Sequence, residues 1–268
     1  MQSEFDLTVS DWEARMFITL KTVEACADHG EYLGYHRKKD DDESVSGCPE
    51  CASEKQREKD RAEQESDRVK RAADNLEKKI GRACIPKRFA SRRFDDYRAD
   101  TLAQKRALTV CQEYADNFED NFEAGRCLLL MGKPGTGKTH LAAAIGNQIM
   151  RAGKWTSVYA TVDAILKHIK ASFGSDTDYN ETEAFEAFTS PSLLIIDEVG
   201  ATKATEFETS TLFSIINSRY EEQMPTVVIS NLRPDDLPTV LGERSVDRLR
   251  EGKGVAVVFD WESSRPSL

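Results

Sequence analysis

The sequence predicts an α/β protein in which a five-stranded parallel sheet is preceded by a charged helix and a small cysteine-containing module. Three observations support this prediction. Short apolar runs alternate with segments whose apolar residues recur at helical spacing, the pattern of a parallel sheet covered by helices on both faces. A long stretch without Gly or Pro carries mainly charged side chains, and two pairs of metal-binding residue types lie near the N-terminus.

Residues 1–52 contain these metal-binding residue types and are expected to form a small, loop-rich module. Cys26 and His29 form one closely spaced pair, and Cys48 and Cys51 form the second. Three thiolates and one imidazole suit a tetrahedral Zn²⁺ ion, and the glycine and proline on either side of Cys48 are turn residues that such a site needs. His36 is the alternative histidine ligand. Free thiols in a reducing cytoplasm are the alternative to a metal site.

Residues 53–84 are expected to form a solvated helical linker. From 54 to 79, nine basic and eight acidic residues occupy 26 positions. A helix of this composition has no apolar face to bury, but opposite charges four residues apart stabilise it by about 0.2–0.5 kcal/mol per pair. Gly81 and Pro86 are expected to end the helix.

Residues 85–268 are expected to form the α/β core as one domain. Its predicted strands are the apolar runs at 127–131, 156–160, 193–196, 226–230 and 255–259. The segments between these runs have the apolar spacing of helices, so the connections predict crossovers between parallel strands. This arrangement is typical of nucleotide-binding proteins.

The strongest chemical signal follows the first predicted strand, where eight residues match the P-loop pattern: Gly132, Lys133, Pro134, Gly135, Thr136, Gly137, Lys138 and Thr139. Glycines in such a loop allow backbone N–H groups to surround phosphate oxygens, and the N-terminus of the following helix adds positive potential. Lys138 is expected to reach the outer phosphates of ATP, and the Thr139 hydroxyl is expected to coordinate Mg²⁺.

Polar side chains follow two further predicted strands. Asp197 and Glu198 come directly after the run at 193–196, and Asn231 follows the run at 226–230. Because strands of an open parallel sheet present their carboxyl ends to the ligand crevice, Asp197 is expected to hold the Mg²⁺ water shell and Glu198 to orient the attacking water. Asn231 can position the same water, although a turn or helix cap is the alternative for this residue.

Two arginines lie one helical turn apart beyond the fourth predicted strand. Arg244 and Arg248 share a helix face, from which either side chain can reach the nucleotide of a neighbouring subunit. An arginine supplied in this way stabilises charge in the transition state and contributes about 10³ to 10⁵ in rate. A solvated helix face is the alternative interpretation.

Composition excludes several classes of protein. No apolar run approaches the length of about 18 residues that a membrane span needs, so a membrane protein is excluded. The acidic N-terminus lacks the features of a secretory signal, so a cytoplasmic location is expected. The net charge of -10 opposes general attraction to nucleic acid, so any contact with DNA must be local.

These residues resemble the bacterial helicase loaders of the DnaC-like AAA+ family. The resemblance covers roughly residues 85–268 and rests on the segments 132–145, 194–200, 230–232, 241–248 and 259–265. The N-terminal module is similar to that of loaders from phages and prophages, and to the zinc-binding, helicase-contacting domain of DnaI-type loaders.

The resemblance implies that ATP-bound subunits self-associate in a spiral on the replicative hexameric helicase, deform its ring and place it on single-stranded DNA. It also implies that Asn231 is the first sensor and Arg248 the arginine acting in trans, with Arg244 as second choice. Few residues follow the last predicted strand, so a full C-terminal helical lid is not expected. Arg265 resembles the second-sensor arginine, a nucleotide-binding residue that such a lid usually supports.

Two other functions compete with a loader. An IstB-like transposition ATPase shares much of the same core, and the metal-binding module favours the loader over it. A non-hydrolysing ATP-binding adaptor would use the P-loop only to order its surface. Glu198 argues against the adaptor, because a protein that only binds ATP has no need for a carboxylate that orients water.

Overall fold

A computed structural model describes residues 5–39, 42–80, 89–174 and 179–263. The chain divides into two compact units, Met1–Ser66 and Asp67–Leu268. The expected helix end at Gly81 and Pro86 and the expected nucleotide contact of Arg265 lie outside the described residues. Within the described part of the chain, no helix is long and apolar enough to cross a membrane.

A three-stranded antiparallel sheet, in which the strands lie in chain order, forms the centre of the first unit. Its elements are α1 (Asp11–Arg15), β1 (Ile18–Cys26), β2 (Gly30–Lys39) and β3 (Asp42–Val45). The expectation of a loop-rich module was wrong, because three strands form much of this part of the chain and two of its glycines, Gly30 and Gly34, belong to the sheet. Gly30 begins β2 with a φ of 79°, and Gly34 lies opposite Thr22 in the β1–β2 pair.

The first unit buries very few apolar side chains. Among its described residues, the buried hydrophobic side chains are Ile18 and Cys48. A buried ion pair between Lys21 and Glu13, at 2.8 Å, joins β1 to α1, and the hydrogen bond from Lys21 lowers the pKa of Glu13 to about 2. A unit with so small an apolar core needs a further source of stability, such as a bound metal ion.

The charged helix is present and begins four residues earlier than the sequence indicated. It forms α2 (Pro49–Ile80), and its surface pairs include Lys59 with Glu63 at 3.8 Å, four residues apart. Proline is tolerated at the first helical position because no N–H is required there, so the helix begins before the charged stretch. As a result, α2 crosses position 52, and Cys51 lies in its first turn.

A five-stranded parallel sheet forms the centre of the second unit, as predicted. Its strands are β4 (Leu128–Gly132), β5 (Ser157–Thr161), β6 (Leu193–Val199), β7 (Thr226–Ser230) and β8 (Val255–Phe259). Their lateral order is β5-β6-β7-β4-β8, and every neighbouring pair is parallel. The observed bounds match the prediction closely, except that β6 continues through Asp197 and Glu198 to Val199.

Helices cover both faces of this sheet. They are α3 (Leu102–Asp116), α4 (Phe118–Glu123), α5 (Lys138–Arg151), α6 (Val162–Ala171), α7 (Glu181–Thr189), α8 (Glu206–Glu221), α9 (Pro238–Leu241) and α10 (Glu243–Arg250), with a 3₁₀ turn at Phe94–Asp96. Alternate residues of β4 pack into opposite clusters: Leu129 and Met131 into one, Leu128 and Leu130 into the other. Burial on both faces explains why the strands are continuously apolar in sequence.

The strand order determines which loops meet. Because β7 lies between β4 and β6, the segments at the carboxyl ends of these three strands are neighbours at one edge of the sheet. The P-loop follows β4, Asp197 and Glu198 belong to the end of β6, and Asn231 follows β7.

A buried guanidinium, that of Arg219 in α8, connects the parts of the second unit that lie around it. Arg219 is 1% exposed, and its Nε donates a hydrogen bond to Thr226 Oγ1 at 3.0 Å. Its Nη atoms donate, at 2.6–3.2 Å, to the carbonyl groups of Phe188, Thr189, Pro191 and Pro225. Burial lowers the pKa of Arg219 to about 10, so the side chain stays protonated at neutral pH.

The Arg219→Met substitution should destabilise the second unit by about 3 kcal/mol or more, because it leaves several buried carbonyl groups without donors. The melting temperature followed by circular dichroism should fall by about 6–12 °C. Arg151→Met is the control, since Arg151 is exposed at the end of α5. Equal melting temperatures for the two variants would contradict this role of Arg219.

Candidate functional site

The P-loop connects the end of β4 to the start of α5, as predicted. Gly132 and Gly137 have φ angles of 124° and 97°, which residues with a Cβ rarely adopt. A Cβ on Gly132 would lie 2.3 Å from the carbonyl oxygen of Phe259 in β8, and one on Gly137 would lie 2.5 Å from Cε2 of Tyr97. Glycine therefore permits the tight loop in which backbone N–H groups are available to phosphate oxygens.

Lys138 is the first residue of α5, and its side chain folds against the P-loop. It is 5% exposed, and its Nζ donates to the carbonyl oxygens of Gly132 at 2.7 Å and Lys133 at 2.6 Å. The ammonium group is therefore held beside the loop, at a helix N-terminus that also attracts anions.

Asp197 is a buried carboxylate at the centre of the site. Its Oδ2 accepts hydrogen bonds from Thr139 Oγ1, at 2.9 Å, and from the Tyr159 hydroxyl. Burial, reinforced by the charge of Asp197, raises the pKa of Tyr159, so this hydroxyl remains a donor. The two hydrogen bonds orient Asp197 beside Thr139. Carboxylate and hydroxyl oxygens are ligands that Mg²⁺ accepts, so this pair fits the predicted magnesium site.

Glu198 has an unusual backbone conformation, with a φ of 63° in the left-handed region. The conformation coincides with an irregularity in the β6–β7 pairing between Ile196 and Val199. The N–H of Glu198 also donates to Oδ1 of Asp197 at 2.6 Å. Such irregularities redirect side chains at strand ends and are found at functional sites, where the strain of about 1–3 kcal/mol is offset by other contacts.

A cleft of about 400 Å³ brings the predicted residues together. Five of the side chains expected to act on ATP line it: Lys138, Thr139, Asp197, Glu198 and Asn231. The P-loop residues Pro134, Gly135 and Gly137 form part of the same wall. The volume lies within the range of about 300–1,000 Å³ that is typical of small-molecule sites.

Sequence analysis missed four residues that line this cleft: Phe89, Arg92, His140 and Ile229. Two helices, α3 and α4, and the strand β4 lie between Arg92 and the P-loop, so no local spacing connects Phe89 and Arg92 with it. The available signal was the basic character of their segment, which does not indicate a nucleotide contact by itself.

Two aromatic residues outside the P-loop hold it in place. The carbonyl oxygen of Thr136 accepts hydrogen bonds from the Tyr97 hydroxyl at 3.2 Å and from Trp261 Nε1 at 3.1 Å. Burial raises the pKa of Tyr97 to about 12, so its hydroxyl donates throughout the physiological range. These contacts join the loop to one segment that precedes the five strands in the chain and to one that follows them.

The two candidate trans arginines lie on α10, as the sequence predicted, and neither lines the cleft of its own chain. Arg244 is exposed. Arg248 is half-buried, and its guanidinium carbon lies 5.0 Å from the ring centroid of Phe213 and 5.5 Å from that of Tyr220. Stacking on two rings holds the Arg248 side chain against α8.

The predicted metal ligands form one cluster in the first unit. Cys26 ends β1, His29 lies in the following turn, and Cys48 and Cys51 lie at the start of α2. His29 Nδ1 lies 3.7 Å from the sulfur of Cys26, 3.8 Å from that of Cys48 and 3.3 Å from that of Cys51. The sulfurs of Cys26 and Cys51 are 3.5 Å apart. In a tetrahedral zinc site such ligand atoms are about 3.3–3.8 Å apart, so the donors fit one Zn²⁺ ion.

Neighbouring groups support this ligand set. His29 Nε2 lies 3.2 Å from Glu54 Oε1, an arrangement that turns Nδ1 toward the sulfurs. Hydrogen bonds from the backbone N–H groups of Asp28 and His29 lower the pKa of Cys26, whereas the neighbouring Cys26 side chain raises the pKa of Cys51. His36, the alternative ligand, is outside the cluster and lies 2.8 Å from Thr22 Oγ1.

Comparison with known proteins identifies the relatives of this chain. The family model described as IstB-like ATP binding protein matches residues 53–248. The replicative helicase loader DnaC of Buchnera aphidicola subsp. Acyrthosiphon pisum (strain APS) is 31% identical over 193 residues, which cover 72% of this chain and 77% of that protein. DnaC of Escherichia coli (strain K12) is 32% identical over 172 residues, 64% of this chain and 68% of that protein.

Solved structures show the same fold. The crystal structure of the DnaC helicase loader has a TM-score of 0.59 at 24% identity and covers 65% of this chain and 100% of that chain. The structure of AMPPCP-bound DnaA from Aquifex aeolicus has a TM-score of 0.52 at 23% identity, and the match covers 62% of this chain and 49% of that chain. The second unit has the AAA+ fold. The chain belongs to the IstB-like ATP-binding family and is a relative of the DnaC replicative helicase loaders.

Proposed function

We propose that this protein is an ATP-hydrolysing helicase loader that binds a replicative hexameric helicase and delivers it onto single-stranded DNA. One observation carries the proposal: Lys138, Thr139, Asp197 and Glu198 converge in a single cleft. Hydrolysis of ATP needs a phosphate-binding cation, magnesium ligands and a carboxylate for the attacking water in this proximity. The 31% identity to a replicative helicase loader supports the specific role.

The site residues divide the chemistry among them. Lys138 binds the outer phosphates of ATP, and Thr139 and Asp197 hold Mg²⁺ directly or through its water shell. The ion neutralises charge on the phosphates when it is bound. Glu198 orients a water molecule toward the γ-phosphate, and Asn231 helps to position it. Hydrolysis then acts as a timing switch for release of the helicase.

Arg248 completes the site of an adjacent subunit in this proposal. It does not line the cleft of its own chain, so its guanidinium is assigned to the nucleotide of a neighbouring subunit. Release from the Phe213 and Tyr220 rings would free the guanidinium to contact a neighbour's γ-phosphate. Arg244, one turn earlier and exposed, is the second choice.

An exposed aromatic residue and a lysine offer a contact for single-stranded DNA. Phe173, just after α6, is 57% exposed, and its ring centroid lies 6.3 Å from that of Phe207. Lys170 Nζ lies 5.1 Å from the Phe207 ring centroid. Proteins bind single strands through aromatic stacking platforms combined with nearby cations. This local pair meets the requirement that a chain of net charge -10 must contact DNA locally.

The first unit presents a surface for the helicase. Its exposed large apolar side chains are Leu7, Trp12, Met16, Phe17, Leu20, Val23 and Val45. A small unit that buries so little and exposes so much apolar surface is typical of a protein-binding module. In this assignment residues 1–52 dock the helicase, with Zn²⁺ as the structural ion, residues 53–84 form a linker, and residues 85–268 form the ATPase domain.

A transposition ATPase is the second candidate function, because the matching family model is the one described as IstB-like. The cluster of four candidate metal ligands and the DnaC relatives favour the loader. Binding to the purified replicative helicase of the host distinguishes the two functions. A partnership with a transposase instead of the helicase would reverse the assignment.

One equivalent of zinc should copurify with the protein under reducing conditions, and His29→Ala or Cys48→Ser with Cys51→Ser should remove it. Loss of the ion should unfold the first unit, because structural zinc contributes about 10–16 kcal/mol in small zinc modules. ATP binding should persist, since the cleft belongs to the second unit. Metal analysis by mass spectrometry checks this, with His36→Ala as the control that keeps its zinc. Metal-free wild-type protein would refute the site.

Glu198→Gln and Arg248→Ala should each bind ATP but hydrolyse it at least about 100-fold more slowly, since both groups act in the transition state. An equimolar mixture should recover activity, because a mixed interface combines an intact Glu198 with an intact Arg248. Phosphate release measured with helicase and single-stranded DNA checks this. If native mass spectrometry shows mixed assemblies and no activity returns, the trans role of Arg248 is wrong, and the same mixture with Arg244→Ala tests the second choice.

Phe173→Ala should weaken single-stranded DNA binding by about 5- to 100-fold, because stacking of one base contributes about 1–3 kcal/mol. Fluorescence anisotropy with a labelled oligothymidylate, in the presence of ATP, measures the change. Leu102→Ala is the matched control, since Leu102 is an apolar side chain that is 75% exposed on α3. An equal loss in both variants, or none in Phe173→Ala, would remove Phe173 from the DNA contact.

A further inference from the structure

We propose that Arg92 is a second phosphate-binding cation of the nucleotide cleft and acts beside Lys138. Arg92 lines the same cleft as the P-loop and the two acidic residues of β6. It precedes the P-loop pattern by 40 positions, so no nucleotide-binding motif in this sequence includes it. The inference rests on ATP binding by this cleft and requires neither hydrolysis nor contact with DNA or helicase.

The backbone around Arg92 is fixed against α5. Asn147 Nδ2 donates to the carbonyl oxygens of Phe89 and Arg92, both at 3.0 Å. One residue later, the carbonyl oxygen of Arg93 lies 2.9 Å from His140 Nε2. These contacts attach the segment to the helix whose N-terminus forms the phosphate site. The backbone of Arg92 is therefore positioned before a nucleotide binds, which reduces the entropy lost on binding.

The guanidinium of Arg92 lacks a counterion. Its Nε is inaccessible to solvent and has no hydrogen-bond partner, and Arg92 forms no ion pair within the described ranges. Since Nε itself is closed to solvent, an incoming phosphate is met by the terminal N–H groups of the guanidinium, and an arginine that lines a cleft without an ion-pair partner suits an anionic ligand. Guanidinium groups bind phosphate through parallel hydrogen bonds, which gives both strength and orientation.

The charges of the cleft lead to the same conclusion. Its charged lining consists of Lys138 and Arg92 against Asp197 and Glu198. Without Arg92 the lining would carry a net negative charge, which opposes an anionic nucleotide even when Mg²⁺ accompanies it. With Arg92 the positive and negative side chains balance, and Lys138 is no longer the single cation facing the phosphates.

Arg92→Gln, Arg92→Lys and the control Arg93→Gln test the proposal in the full-length protein. Arg93 is the adjacent arginine, and it is exposed and does not line the cleft. Dissociation constants for ATP and ADP with Mg²⁺ are measured by isothermal titration calorimetry. A second measurement uses tripolyphosphate, which has no base or sugar, to displace a fluorescent ATP analogue. Melting temperatures show whether each variant is folded.

Arg92→Gln should weaken the binding of ATP, ADP and tripolyphosphate about 10- to 100-fold, because a hydrogen bond to a charged group contributes about 1.5–3 kcal/mol. Arg92→Lys should recover part of this loss, since it keeps the charge but not the paired donors. Arg93→Gln should bind as the wild type does. Unchanged affinity for all three ligands in folded Arg92→Gln overturns the proposal. Weaker binding of ATP with unchanged binding of tripolyphosphate also overturns it, because that result would place Arg92 at the base or sugar of the nucleotide. A wild-type protein that binds no ATP would instead refute the nucleotide site as a whole.

Discussion

The parallel register of β4, β6 and β7 is the constraint on which the nucleotide site depends. Met131 of β4 and Val199 of β6 both lie opposite Ser230 of β7, so the three strands end at the same level. A slip of one residue would turn every side chain of a strand to the other face and disrupt both apolar clusters. Because the core enforces this register, the P-loop, the acidic pair and Asn231 must meet at one edge.

Hydrogen bonds within the second unit then orient the groups that the register brings together. Asp197 is held by Thr139 and Tyr159, and the Thr136 carbonyl is held by Tyr97 and Trp261. A neutral hydrogen bond, such as those to the Thr136 carbonyl, contributes about 0.5–1.5 kcal/mol, and one to a charged group about 1.5–3 kcal/mol, so the fixed geometry is a collective property. A site arranged in advance loses less entropy when it binds nucleotide and needs less reorganisation during reaction.

The first unit is stabilised differently. Its described residues bury an ion pair and two apolar side chains, while larger apolar residues such as Trp12 and Phe17 remain on the surface. A Zn²⁺ ion bound by the cluster of Cys26, His29, Cys48 and Cys51 would supply the folding free energy that the small apolar core does not. The surface apolar residues remain available to a partner, and the proposed loader assigns helicase docking to this unit and ATP hydrolysis to the second unit.

The sequence by itself determined the parallel sheet, the P-loop, the acidic pair at Asp197 and the Cys/His cluster at Cys26, since each depends on local spacing or on continuous apolar runs. The antiparallel sheet of the first unit was not predicted, because its glycines indicate turns equally well. Only the tertiary structure decided the left-handed backbone of Glu198, the Tyr97 clamp on the P-loop and the place of Arg92 in the cleft. These features arise from contacts between segments that are distant in the chain, and the local sequence pattern of one segment does not predict which other segment it will contact.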